Sequence, residues 1–211
     1  MAEVVIIDYG MGNLHSVYKS LVKVVDKTSK IKISNSLADI KNCSHIIFPG
    51  QGAASECMNN IKKHLDIEEL LEVIKEKPFL GICMGLQVLM TESDENEGTE
   101  CLDIIDGKVI SLKNHIDNSL KIPHMGWNKV CQSRNHPVWN DIQDNSFFYF
   151  VHSYFVQPNN IKEIMSTTEY GTKFTSAVSS SNLIAVQFHP EKSSDPGLKL
   201  LSNFVNWNGV I

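Results

Sequence analysis

Pro78-Phe79-Leu80-Gly81-Ile82-Cys83-Met84-Gly85-Leu86-Gln87 is an apolar strand that runs into Gly-x-Cys-x-Gly and then a helix. This is the layout of a nucleophile elbow, in which a reactive side chain stands on a sharp strand-to-helix turn. Such a turn needs small neighbours, which accounts for Gly81 and Gly85. A thiol placed there lies at a helix amino terminus, where the dipole favours the thiolate. A buried structural cysteine between two packing glycines is the plain alternative, so the surroundings have to decide.

Outward from this stretch, the first half alternates short apolar runs with amphipathic segments. Val4 to Ile7 precedes Leu14 to Val25, and Ile31 to Ile33 follows. His45 to Phe48 precedes Ala54 to Ile61 and Ile67 to Ile74, and Phe79 to Ile82 precedes Leu86 to Met90. The alternation predicts an α/β fold: a mostly parallel central sheet with helices on both faces and ligands beyond the carboxyl ends of the strands. The second half reads as strand-rich. It holds Ile104 to Ile110, where Asp106-Gly107 looks like a hairpin turn, the aromatic run Phe147 to Phe155, and a last helix from about Pro196 to Trp207. With no repeat, low-complexity segment or linker, residues 1–211 read as a single domain. A domain near this size buries roughly 70% of its unfolded surface.

Hydrophobic residues are 42% and charged ones 20%, ordinary for a folded chain and far from the disordered corner. Lys plus Arg is 19 against 24 Asp plus Glu, a net charge of −5, which argues against nucleic acid as a partner. The longest apolar stretch, Pro78 to Met90, is broken by Gly81, Gly85 and Gln87 and falls short of the ~20 residues of a membrane span. The first residues have no basic start and meet Asp8, which suits a strand better than a signal peptide, so a cytoplasmic protein without a membrane partner is expected. Cys43, Cys57, Cys83, Cys101 and Cys131 are an odd number with no CxxC pair, which suggests neither a disulfide framework nor a zinc site.

A thiolate nucleophile needs a base. Among eight histidines, His189 stands apart, because Leu183-Ile184-Ala185-Val186-Gln187-Phe188 is a strand ending directly in His189-Pro190-Glu191. Pro190 biases His189 to an extended backbone, which lets the imidazole and the Glu191 carboxylate project to one side. Glu191 would then orient the ring and stabilise the imidazolium. Without Cys83 the same three residues read as a plain strand exit.

Attack on a carbonyl also needs donors for the oxyanion. Pro49-Gly50-Gln51-Gly52, after the run His45 to Phe48, offers backbone N–H groups from Gly50, Gln51 and Gly52, to be joined by the amide of Met84. A tight βα turn is the bland reading of this loop. Asp8-Tyr9-Gly10-Met11-Gly12-Asn13 invites a dinucleotide reading but carries His15 where the third glycine belongs. No phosphate-binding lysine loop, metal-binding HExxH helix or paired-cysteine pattern is present, so no cofactor and no metal are expected.

Gly81-Ile82-Cys83-Met84-Gly85-Leu86-Gln87 followed by Phe188-His189-Pro190-Glu191 resembles the class I, or triad, glutamine amidotransferase family. Ile122-Pro123-His124-Met125-Gly126-Trp127-Asn128, Phe150-Val151-His152-Ser153-Tyr154 and His189 to Ser193 extend the resemblance over nearly the whole chain. They narrow it to glutaminases that serve a separate (β/α)8 cyclase subunit in histidine biosynthesis. The resemblance implies that Cys83 attacks the side-chain amide of L-glutamine, that His189 shuttles protons, and that Glu191 orients His189. By motif position it further implies glutamine binding by Gln87, Glu95 and the backbone around Ser153. It places Trp127, Tyr149 and Lys192 at the cyclase interface of a heterodimer, although packing or plain solvation also suits these three.

Gln51 departs from the family pattern, which has a small apolar residue there, and Ala53-Ala54 stands where an aromatic residue is usual. In the family this loop reorients to complete the oxyanion hole. Paralogous glutaminases supply ammonia to sugar-modifying synthases, and this stays open as the alternative customer. A non-catalytic module on the same fold would predict a damaged triad, and a papain-like protease fits the alternating β/α pattern poorly.

Overall fold

In Val4-Val5-Ile6-Ile7 every side chain is buried, and successive ones go to opposite sides. Val4 and Ile6 enter one hydrophobic core, Val5 and Ile7 the other. The same alternation divides Ile47 from Ile46 and Phe48, and Leu80 and Ile82 from Phe79. A strand apolar on both faces belongs inside a sheet covered on both sides. The computed structural model describes residues 2–117 and 119–210. Met1 and Ile211, the ends of the single-domain reading, and Asn118 lie outside the described residues.

The parallel part of the sheet is built from β1 (Glu3–Ile7), β2 (Lys30–Ser34), β3 (His45–Gly50) and β4 (Phe79–Cys83), joined by β13 (Leu183–Val186) in the order β2-β1-β3-β4-β13. On these strands α1 (Leu14–Val24) and α6 (Ser194–Asn206) cover one face, while α2 (Leu37–Asn42), α3 (Ala54–His64) and α4 (Ile67–Glu76) cover the other. Asn13 caps α1 through Ser16 N, and Asp66 caps α4 through Glu69 N, each supplying an acceptor to a free helix-end donor.

Beyond β13 the sheet turns antiparallel through β12 (Lys173–Ser180), β10 (Tyr154–Pro158) and β7 (Ile105–Ser111). Then come β5 (Met90–Ser93), parallel to β7, and β6 (Thr99–Glu100). An extension branches off β12 through β11 (Ile164–Glu169) to β8 (His124–Gln132) and β9 (Ser146–His152). The α/β fold with a mostly parallel central part and a strand-rich second half is as expected.

Two local expectations fail. Asp106-Gly107 is no hairpin turn: β7 passes straight through it, pairing with β10. Gly107 is required because φ is +145° and a Cβ would come within 2.4 Å of the Gln157 carbonyl. The helix after Cys83, expected to involve Leu86 to Met90, is the single turn α5 (Met84–Gln87), because Met90 pairs with Ile105 as the start of β5.

Candidate active site

The parallel strands end together, and Gly50 on β3 stands in register with Cys83 at the end of β4. Beside β4, β13 ends at Val186, and His189 follows three positions later in the chain. Two residues far apart in sequence thus meet at the carboxyl edge of the sheet.

Cys83 has φ 56° and ψ −109°, a backbone conformation sparsely populated by residues other than glycine. Strain of this kind costs on the order of 1–3 kcal/mol and gathers at functional positions. The tight turn depends on its glycines: a Cβ on Gly85 would lie 1.9 Å from the Phe48 carbonyl oxygen. Because α5 is only one turn, its dipole on the thiol is weak, and charged neighbours must do more of the activation.

His189 supplies such a neighbour. Its Nδ1 is 2.8 Å from Glu191 Oε1, and the two side chains are 7% and 1% exposed. Since a carboxylate only accepts, Nδ1 carries the proton. Nε2 is buried with no conventional hydrogen-bond partner and is left for Cys83. Burial works to lower the pKa of His189, but the negative charges of Cys83 and Glu191 and their hydrogen bonds override it and push it up to about 10. The charged imidazolium form of His189 is thereby favoured. In contrast, burial pushes the thiols of Cys57 up to about 12 and Cys101 up to about 11. All five cysteines are unpaired, and these two are poor nucleophiles.

A cavity of about 200 Å3 is lined by Gly52, Cys83, Met84, Gln87, Glu95, Pro123, Val151, His152, Ser153 and Tyr154. It is smaller than the ~300–1,000 Å3 of sites for drug-sized ligands and suits a single small metabolite. Gln87 is buried, donates from Nε2 to the Tyr154 carbonyl (3.1 Å) and to Gln187 Oε1 (3.0 Å), and leaves its own Oε1 without a partner. Glu95 Oε2 accepts from the amide of Ala54, the first residue of α3, at 2.7 Å, which ties the acidic segment to the loop before α3. Ser153, between β9 and β10, accepts from Leu112 N through its carbonyl.

Gly50 is buried, and a Cβ there would lie 2.6 Å from the Tyr9 hydroxyl and 2.8 Å from Met84 Cβ. Tyr9 also donates to the Pro49 carbonyl (2.9 Å), fixing that peptide. Gly52 has φ +90°, and the side chain of Gln51 is exposed and outside the cavity lining.

Trp127 and Tyr149 pair across β8 and β9, with ring centroids 6.1 Å apart, and Lys192 Nζ lies 5.9 Å from the Tyr149 ring. These three positions therefore form one surface. It adjoins the cavity directly, since the Tyr149 carbonyl accepts from His189 N and the Val151 carbonyl lies 3.9 Å from Cys83 Sγ. Met125 and Phe147, 62% and 50% exposed, widen the apolar patch.

Two further residues near Cys83, His152 in the cavity lining and Gln187 behind it, carry no role in the sequence reading. His152 is visible only as part of a motif, and its bond to His124 (2.9 Å) joins strands 28 residues apart. Gln187 is a single polar side chain inside an apolar run, which by itself does not say what it faces. Among the described residues, no cluster of three or more potential metal ligands occurs, and no helix is long and apolar enough to cross a membrane.

Residues 5–207 match the family model for glutamine amidotransferase class-I. The chain is 53% identical over 208 residues to "imidazole glycerol phosphate synthase subunit HisH" of Hydrogenovibrio crunogenus, covering 98% of this chain and 97% of that one. It is 46% identical to the protein of the same description from Nitrosococcus oceani, over 100% of both chains. A solved structure described as a putative gmp synthase subunit a from Thermoplasma acidophilum superposes with a TM-score of 0.68 at 16% identity, over 98% of this chain and 93% of that chain.

Proposed function

Since the chain belongs to the class-I glutamine amidotransferases, and within them to the family of subunit HisH of imidazole glycerol phosphate synthase, we propose Cys83, His189 and Glu191 as its catalytic triad. The chain is a glutaminase of histidine biosynthesis. The observation that carries the residue assignment is the buried His189, held by Glu191 through Nδ1 and turned toward Cys83, which itself lines a cavity of about 200 Å3.

In this reading Cys83 Sγ attacks the side-chain carbonyl carbon of L-glutamine. The amide of Met84 and an N–H from Gly50, Gln51 or Gly52 take the developing oxyanion. His189 Nε2 gives its proton to the departing nitrogen, so ammonia leaves and a thioester remains. Water, deprotonated by His189, then attacks the thioester, and glutamate leaves with Cys83 restored. Gln87 lines the cavity and takes part in holding the substrate. Glu95 and the Ser153 backbone complete the pocket, and no cofactor or metal takes part.

The ammonia then passes to the cyclase subunit of imidazole glycerol phosphate synthase, which docks on the surface of Trp127, Tyr149 and Lys192 to form a heterodimer. There it meets a phosphorylated ribulosyl aminoimidazole-carboxamide nucleotide. Residues 1–211 act as one glutamine amidotransferase domain in the cytoplasm, a reducing compartment that suits five unpaired cysteines. A sugar-modifying customer is disfavoured by the full-length likeness to subunits of the histidine-pathway synthase.

The test is Cys83→Ala in the assembled synthase. Product formation from glutamine is expected to vanish while ammonium salts still support it. Glutamine-dependent product from Cys83→Ala overturns the assignment.

A further inference from the structure

Resting on the reading of Cys83 as the nucleophile, we propose that Gln187 is a further catalytic residue: its amide N–H holds the attacking sulfur while its carbonyl end fixes the amide of Gln87. Gln187 follows β13 directly and is wholly buried. Its Nε2 lies 3.7 Å from Cys83 Sγ, and its Oε1 accepts from Gln87 Nε2 at 3.0 Å.

The orientation of both amides is determined. The Tyr154 carbonyl can only accept, so the Gln87 atom 3.1 Å from it is the NH2 group. That same NH2 meets Gln187, which must therefore offer its oxygen there and its N–H groups to the sulfur. The Tyr154 carbonyl also accepts from His152 Nδ1 at 2.8 Å. His152 Nε2 is then the acceptor for His124 Nδ1, and His124 Nε2 accepts from Asn128 Nδ2 at 3.3 Å. Every donor and acceptor in this chain is consistent with its neighbours.

An amide at a fully buried position costs free energy unless it is hydrogen-bonded, and an apolar side chain of like shape would fill the space without that demand. Two services repay the cost. The N–H opposite Sγ stabilises the sulfur more as negative charge develops, because hydrogen bonds to charged acceptors are the stronger ones. The acceptor opposite Gln87 fixes the amide of a side chain that lines the cavity and whose buried Oε1 has no partner.

The test is carbamidomethylation of Cys83 by iodoacetamide in the full chain across a range of pH, read by peptide mass so that Cys83 is separated from the exposed Cys131. Gln187→Met is expected to slow alkylation of Cys83 about tenfold near neutral pH, with recovery at higher pH, as for loss of one hydrogen bond to a charged acceptor. It is also expected to raise KM for glutamine, since Gln87 loses its anchor. Gln187→Glu keeps an acceptor for Gln87 but sets a second acid beside the sulfur. It is expected to slow alkylation while leaving KM within about threefold of the parent. A structural role alone would not produce this split. Alkylation rates and pH profiles like the parent's in a variant that folds overturn the inference about Gln187 and leave the nucleophile standing. A parent chain whose Cys83 reacts no faster than Cys131 overturns both.

Discussion

At Cys83 the backbone is strained and the neighbours are small, and each feature has a measurable consequence. Gly85→Ala places a Cβ 1.9 Å from the Phe48 carbonyl oxygen, a clash with backbone that cannot swing away. It is expected to lower stability by about 3 kcal/mol or more, read by denaturant unfolding. A loss under about 1 kcal/mol would mean that the turn relaxes easily. Glu191→Gln keeps a neighbour for His189 Nδ1 and removes the charge that supports the imidazolium. It is expected to reduce kcat by less than Cys83→Ala does, with KM little changed, and a loss as complete as that of Cys83→Ala would contradict an orienting role. These residues were legible because glycine and proline mark them: Gly81 and Gly85 around the thiol, Pro190 between base and orienter. Gln187 was not, since one polar residue in an apolar strand does not announce which side chain it faces.

Among elements, the β8–β9 hairpin carries the most distinctive surface. Its inner residues Phe148 and Phe150 are buried, while Trp127 is 50% exposed and Met125 62%. Trp127→Ala is therefore expected to change the stability of the free chain by no more than about 0.5 kcal/mol. It is expected to weaken association with the cyclase subunit by about 2 kcal/mol or more, as at a hot spot, measured by calorimetric titration. Unchanged affinity would move the interface elsewhere. The elements the sequence announces poorly are those that depend on distant partners. Asp106-Gly107 resembles a turn, yet the pairing of β7 with β10 keeps it extended. Leu86 to Met90 has helical content, yet Met90 is captured by Ile105. The pairing of His124 with His152 exists only because β8 and β9 lie side by side.

Over the whole molecule, buried histidines set the acid limit of stability. Burial lowers His45, and it lowers His124 and His136 to about 4 and His152 to about 3. Each binds a proton on unfolding at any pH between its folded value and the unfolded value of about 6.5, so stability is intact above that window and is lost as pH falls through it. His189 acts in the opposite sense: raised to about 10, its contribution is fully present below about pH 6.5 and is lost as pH rises through about 10. The melting temperature is expected to drop by several degrees between about pH 7.5 and about pH 5, and a flat or rising trend would contradict neutral burial of these rings. The alternating pattern of the first half made the sheet and its functional edge legible, because parallel strands bury both faces and leave their carboxyl ends to ligands. The most direct measurement is glutamate release from glutamine by the purified chain and by Cys83→Ala, each alone and with the cyclase subunit, with and without its nucleotide. Hydrolysis is expected to rise strongly when the loaded cyclase is present and to disappear with Cys83. Hydrolysis that persists in Cys83→Ala, or that ignores the loaded cyclase, would contradict the proposed function.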